Sequence, residues 1–148
     1  MIAGIDTVSV SDQEDFAIWK LNADGSVATG FGGGDGLVTF TSIGGNGNDQ
    51  DFATGLFVDA QGFYVVGGSM DNAVAPASND DFVVLRLQPD GTLDTGFNSP
   101  NGYFADDIAG SSGDQCQGKQ IVQDAKGRIL GVGWTESSTV DAAIWCIK

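Results

Sequence analysis

Any chemistry in this sequence has to come from carboxylates, because its 148 residues include 20 Asp and Glu, 6 Lys and Arg, and no His. Without His there is no Ser-His-Asp or Cys-His nucleophile system, and no zinc site of the His-bearing kind. Two carboxylates about 5–10 Å apart could cleave a glycoside. The adjacent pairs Asp80-Asp81 and Asp106-Asp107 do not supply such a couple, since neighbours on a strand point to opposite faces. No catalytic, cofactor-binding or metal-ligating residue is therefore assigned. Carboxylate-based glycoside chemistry stands only as a third reading, behind two that need no reaction.

Two glycine-rich stretches imitate ligand loops. Gly44-Gly45-Asn46-Gly47-Asn48-Asp49 fits the first six places of the calcium nonapeptide GGxGxDxUx. It then departs, because Asp51 stands where an apolar residue should turn inward, and the equivalent stretch Ala109 to Asp114 lacks the glycines. One such loop supplies few ligands against the 6–8 oxygens calcium takes, so a blade connection is the simpler reading and calcium an alternative. Gly113-x-x-x-x-Gly118-Lys119 resembles a phosphate loop, but Gln120 replaces the Ser or Thr that would hold magnesium. No helix follows to receive phosphates, which leaves Lys119 as a solvated strand residue.

The elements that carry these residues repeat. Asp15 to Gly32, DFAIWKLNADGSVATGFG, and Asp81 to Asn98, DFVVLRLQPDGTLDTGFN, share eight of eighteen residues at a constant offset of 66. Asp141 to Lys148, DAAIWCIK, begins a third copy, and Met1 to Asp6 reads as the tail strand of a truncated one. The chain is thus one repeat domain over 1–148: a tail strand at 1–6, a first repeat at 15–79, a second at 80–140, and the opening strand of a third at 141–148.

Alternation and turn residues place strands near 15–22, 37–43, 52–59, 63–69, 81–88, 103–108, 117–124, 128–134 and 141–147. Asp15 to Leu21 is apolar on both faces, as a strand between two neighbouring sheets should be. NADG at Asn22–Gly25 and QPDG at Gln88–Gly91 are turns, as are Asp59–Gly62 and Asp124–Gly127. Phe31 and Phe97, each after Gly, read as anchors pinning a loop to the core. Four short strands per unit of 60 to 66 residues predict an all-β, β-propeller-type repeat of four-stranded antiparallel blades. The long connections Gly44–Gln50 and Asp71–Asp80, with the shorter Glu136–Val140 of the second repeat, then belong to one rim, where a propeller would bind something.

The string DF-x-x-x-(K/R)-L-x-x-DG-(S/T)-(V/L)-x-T-G-F, followed by a DA-x-G turn and a V-x-G strand, resembles the delta-60 repeats of bacterial surface and secreted proteins. That resemblance implies a propeller-type fold within a longer extracellular or cell-surface polypeptide, and it brings no catalytic residues. Ala28 stands where the second copy has Asp94, and Ala142 where the strand has Phe.

A net charge of −14 repels phosphate backbones and anionic lipid, so nucleic acid and membrane are poor partners. No apolar run is long enough for a transmembrane helix, and the N-terminus lacks the basic start and apolar core of a signal peptide. The expected function is a non-enzymatic module for protein association, adhesion or surface display; the alternative is a rim-loop binder of calcium or carbohydrate. Ten strands make about two and a half blades, an incomplete ring whose open ends carry residues such as Trp19 and Trp145. The protein partner is then the remainder of a longer chain, or a second copy completing a ring of about six blades. Cys116 and Cys146 stand where other copies carry Asp51 and Lys20 or Arg86, so neither is a framework cysteine. Intact mass under non-reducing conditions should show both thiols protonated, and a two-proton deficit would reveal a bridge.

Overall fold

A computed structural model describes residues 2–7, 14–40, 43, 51–71, 80–106 and 115–148. It contains ten strands: β1 (Ile2–Thr7), β2 (Glu14–Trp19), β3 (Leu37–Phe40), β4 (Phe52–Val58), β5 (Tyr64–Asp71), β6 (Asp80–Leu87), β7 (Tyr103–Asp106), β8 (Gln115–Gln123), β9 (Ile129–Glu136) and β10 (Val140–Ile147). Apart from a 3-10 turn at Gly32–Gly34, no helix occurs among the described residues, and none is long and apolar enough to cross a membrane. Gly44–Asp49, Ala109–Asp114 and Asp107 lie outside the described residues.

The strands form three antiparallel sheets: I, in the order β1-β2-β3; II, β4-β5-β6-β7; and III, β8-β9-β10. The fold is all-β and propeller-type, with one complete four-stranded blade flanked by two of three strands, and these sheets do not close a ring. Each blade straddles two sequence repeats. Sheet II takes its first two strands from repeat 15–79 and its last two from repeat 80–140, because Asp71 and Asp80 are paired across a β5–β6 hairpin. Periodicity defines the length of a unit and leaves its phase open, which is why blade and repeat boundaries differ by two strands.

Sheet stacking follows from strand alternation. On β6, Val83, Leu85 and Leu87 face sheet I and join Phe16, Ile18, Tyr64 and Val66 in one core. Phe82 and Val84 point the other way, into a second core with Cys116, Ile121, Ile129, Ala143 and Trp145 of sheet III. A strand apolar on both faces is thus used on both faces. Between sheets II and III the Phe82 ring stacks on Trp145, centroids 4.1 Å apart and planes 18° off parallel. Gly118 and Gly131 leave the space it occupies: a Cβ on Gly131 would strike the Phe82 ring, and one on Gly118 would lie 2.5 Å from both that ring and the Gly68 carbonyl.

Trp145 corrects an expectation. It is 4% exposed, whereas Ile144 is 77% exposed, so the open face of sheet III carries Ile144. Both faces of β10 are apolar, and only the neighbouring sheet decides which turns inward. Trp19, the other aromatic expected on an open end face, is half-buried. Cys116 and Cys146 are not joined in a disulfide, Cys116 being buried and Cys146 exposed.

Replacing Phe82 by Ala removes the ring from between two sheets and leaves a cavity lined partly by glycine. Urea unfolding should show a loss of about 3–5 kcal/mol, the usual range for a buried Phe.

Candidate functional site

The repeated motif builds a corner at one rim, and the copies make the same backbone bonds. Ala28 N–H donates to the Lys20 carbonyl and Phe31 N–H to Ala28; Asp94 N–H donates to Arg86 and Phe97 N–H to Asp94. Gly25 and Gly91 take φ of 85° and 93°, the left-handed geometry that only Gly adopts cheaply. Asp24 Oδ1 accepts from Ser26 N–H at 2.9 Å and Ser26 Oγ at 2.6 Å; Asp90 Oδ1 accepts from Thr92 N–H at 2.9 Å and Thr92 Oγ1 at 2.7 Å. These hydroxyl and amide donors hold both carboxyls below the ordinary Asp value. They are ionised turn acceptors, unsuited to the general-acid half of glycoside chemistry.

Phe31 and Phe97 are buried anchors capped by cations. Lys20 Nζ lies 5.6 Å from the Phe31 ring centre and 5.1 Å from that of Tyr64, and donates to the Pro89 carbonyl at 3.1 Å. Arg86 lies 5.0 Å from Phe97 and 4.8 Å from Phe63, and its Nε donates to Asp94 Oδ2 at 2.6 Å. The first corner has Ala28 in place of Asp94, so its lysine reaches the next corner instead. A cleft of about 480 Å³ between the two corners is lined by Asp35, Leu37, Thr39, Asp90 and Thr92. Its carboxylates are engaged locally, Asp35 Oδ1 accepting from Leu37 N–H at 3.1 Å and Asp90 from Thr92.

The DA-x-G turns use their Asp in the same way. Asp59 Oδ1 accepts from the N–H groups of Gln61 and Phe63, each at 2.9 Å. Asp124 Oδ1 accepts from Lys126 N–H at 2.8 Å and Arg128 N–H at 3.0 Å, and Arg128 pairs with Oδ2 at 2.5 Å. That arginine holds the Asp124 carboxyl below its ordinary value.

The opposite rim gathers the beginnings of β2, β4, β6, β8 and β10. Asp51 N–H donates to the Glu14 carbonyl at 2.7 Å, and the Gln117 side-chain amide donates to Asp80, tying sheets I, II and III at this end. Asp15, Asp51, Asp71, Asp80 and Asp81 are all buried here. Burial, reinforced by the negative charge of Asp71, raises the Asp80 carboxyl above its ordinary value, against the Gln117 hydrogen bond and Lys119. Asp80 and Asp81 point to opposite faces, as adjacency requires. No three Cys, Asp or Glu among the described residues are grouped to hold a metal ion. Lys119 is exposed, its Nζ 2.6 Å from Gln117 Oε1 and 5.7 Å from the Trp134 ring centre. It sits in mid-strand on β8, where no helix N-terminus is available for phosphate.

The remaining feature is the outward face of sheet III. Its register places Cys146, Leu130 and Val122 in one row and Ile144, Val132 and Gln120 in the next. Val122, Val132 and Ile144 are 51%, 45% and 77% exposed. The repeat contained the signal for this face, since Ile144 is the counterpart of Val84, which has no exposure at all beneath sheet III.

Three stacked antiparallel sheets, corners that repeat the same backbone hydrogen bonds and an end face left open among the described residues define a β-propeller-type repeat. Consistent with this, residues 1–31 and 62–97 match the family described as a domain of unknown function (DUF5122) beta-propeller. No curated protein matches the chain.

Asp80 gives a signed pH test. A carboxyl with a raised folded-state pKa favours folding when protonated, so its ionisation weakens the fold as pH climbs past the ordinary Asp value of 3.8. Asp80→Asn, which can still accept from Gln117, should melt above the parent at pH 7. Its advantage should fade as both are acidified below 3.8, and differential scanning calorimetry at several pH values would show the convergence.

Proposed function

We propose that this chain is a non-enzymatic propeller-type repeat module that acts by associating with protein, in the display or adhesion setting that its delta-60 resemblance implies. One observation carries the reading: an apolar band on sheet III, running from Ile144 on its edge strand across Val132 to Val122, lies open among the described residues of a chain of net charge −14. Contiguous apolar surface on an otherwise strongly acidic chain marks a contact surface, because solubility alone would put charge there. The motif carboxylates point the same way, since those of Asp24, Asp59, Asp90 and Asp124 serve turns.

Binding of calcium or carbohydrate by the long rim connections is the competing reading. The buried Asp residues at that rim give it a chemical setting, while its proposed loop, Gly44–Asp49, lies outside the described residues. Light scattering across a concentration series, alongside melting curves in calcium and in EDTA, separates the two. Association predicts a mass that climbs with concentration and a melting temperature indifferent to calcium. A concentration-independent monomer whose melting temperature rises with calcium would transfer the function to the rim, because a ligand of the folded state stabilises it by mass action.

A further inference from the structure

We infer that the cleft between the two corners takes an extended peptide carrying lysine or arginine, added as a strand to the outer edge of β3. The site is separate from the apolar band on sheet III, and its walls come from the interior of the chain, residues 32–39 and 90–92. Sheet II, the complete blade, ends on β7, the counterpart of β3, so an outer edge at this place belongs to a blade that has all four strands. The cleft's volume of about 480 Å³ lies within the ~300–1,000 Å³ typical of ligand sites. Leu37, Val38 and Thr39 all line it. Their side chains alternate between faces, so what one cavity shares with all three is the edge of the strand.

The backbone groups on that edge follow from the ladder. Lys20 N–H donates to the Gly36 carbonyl at 2.8 Å, one step beyond the Trp19–Leu37 pair. Hydrogen-bonded pairs alternate along antiparallel strands, so Val38 and Phe40 turn their peptide groups toward β2, while Leu37 and Thr39 turn theirs outward. The corner closes the Leu37 end. Leu37 N–H donates to Asp35 Oδ1 at 3.1 Å, and its carbonyl sits so near Gly32 that a Cβ there would come within 1.9 Å. Thr39 is exposed, and among the described residues no strand pairs with it on the outer side. Its N–H and carbonyl are the groups to which an incoming strand adds.

Charge selects the side chains of that strand. Asp35 and Asp90 both line the cleft and no Lys or Arg does. Each spends Oδ1 on a local amide, which leaves Oδ2 without a donor among the described residues. An ammonium or guanidinium offers donors only and matches such acceptors, and the chain's net charge of −14 draws a cation from a distance. The walls are held before anything binds: Gly32 N–H donates to the Asp90 carbonyl at 3.0 Å, and Lys20 Nζ to the Pro89 carbonyl at 3.1 Å. Duplication supplies a comparison, since Gly32-Gly33-Gly34-Asp35 occupies the place of Asn98-Ser99-Pro100-Asn101. In the second copy Asn98 Nδ2 donates at 2.9 Å to the carbonyl of Tyr103, the counterpart of Leu37. The first copy thus has a bare wall and a carboxylate where the second has side chains and an amide, a difference the shared turn does not require.

The test titrates the whole chain into a fluorescein-labelled, end-capped peptide of alternating lysine and valine, read by fluorescence anisotropy, with far-UV circular dichroism on each variant. Wild type should bind saturably, and more weakly as salt is raised. Asp35→Asn and Asp90→Asn keep the acceptors used by Leu37 and Thr92 and remove only charge, so each should cost up to about fivefold in affinity, the upper range for an exposed ion pair. Asp24→Asn makes the same change in the equivalent turn of the first corner, outside the cleft, and should leave affinity where it was. Methylating alternate backbone nitrogens of the peptide keeps its charge and, in one of the two phases, removes the donors that face β3; that phase should bind about tenfold more weakly. Amide exchange at Thr39 should slow when the parent peptide is added, while Val38, already bonded to β2, changes little. Affinity that falls equally for Asp24→Asn, Asp35→Asn and Asp90→Asn reports general attraction to an acidic chain and overturns the cleft. Both methylated peptides binding like the parent, with Thr39 exchange unmoved, overturns strand addition, and wild type that shows no saturable binding at low salt overturns the proposal as a whole.

Discussion

Phe82 sits at the contact on which the rest of the arrangement depends. It projects from the central blade into the neighbouring sheet, stacks on Trp145, and occupies space that Gly118 and Gly131 leave open. Two flat sheets with branched side chains on every position would stand too far apart for such a ring to reach both. Glycine in the receiving sheet lets the backbones approach, and polar groups then close the gap: Thr54 Oγ1 donates to the Gly118 carbonyl at 2.9 Å, and Gly118 N–H donates to Ser69 Oγ at 3.1 Å. A buried peptide at a sheet-to-sheet contact is thereby satisfied on both sides, which a dry interface requires. The register shift between Gly118 and Gln120 occurs at this place, and its counterpart between Ala53 and Gly55 shows that it belongs to the repeat.

The two rims of the stack obey different rules. At the corner rim, backbone hydrogen bonds, Asx-type acceptors and cation-capped aromatics repeat almost bond for bond, so sequence there is tightly specified. The other rim holds five buried aspartates and the ends of the long connections. Charge at the first rim is exposed and paired with nearby donors, while Asp80 at the second is destabilised as an anion by burial.

Much of this was legible because duplication marks its own framework. The Asp-Gly turns, the Gly-Phe anchors and the ten strands follow from comparing two stretches of one chain, since a residue kept through duplication at a bend or a buried face has a local physical reason to stay. Less legible was whatever depends on the neighbour. Sheet boundaries fell two strands away from repeat boundaries because hydrogen bonding across the Asp71-to-Asp80 hairpin, and not periodicity, decides which strands share a blade. Trp145 and Ile144 could not be told apart as inward and outward, since alternation separates them and apolarity does not rank them. The outward face of sheet III was visible only once the position of Val84 beneath its neighbour gave Ile144 a meaning.

The hairpin that joins the two repeats has a further consequence. Asp71 and Asp80 are held opposite one another by a ladder running back to Tyr64 and Leu87. The separation of those two ends is therefore set by the sheet, whatever chain lies between them. Under loop-closure statistics, doubling the length of such a connection costs only about 0.6 kcal/mol. The blade can thus act as a chassis: peptides of foreign sequence and quite different length could be spliced between two clamped anchor points, with the scaffold below indifferent to what it carries.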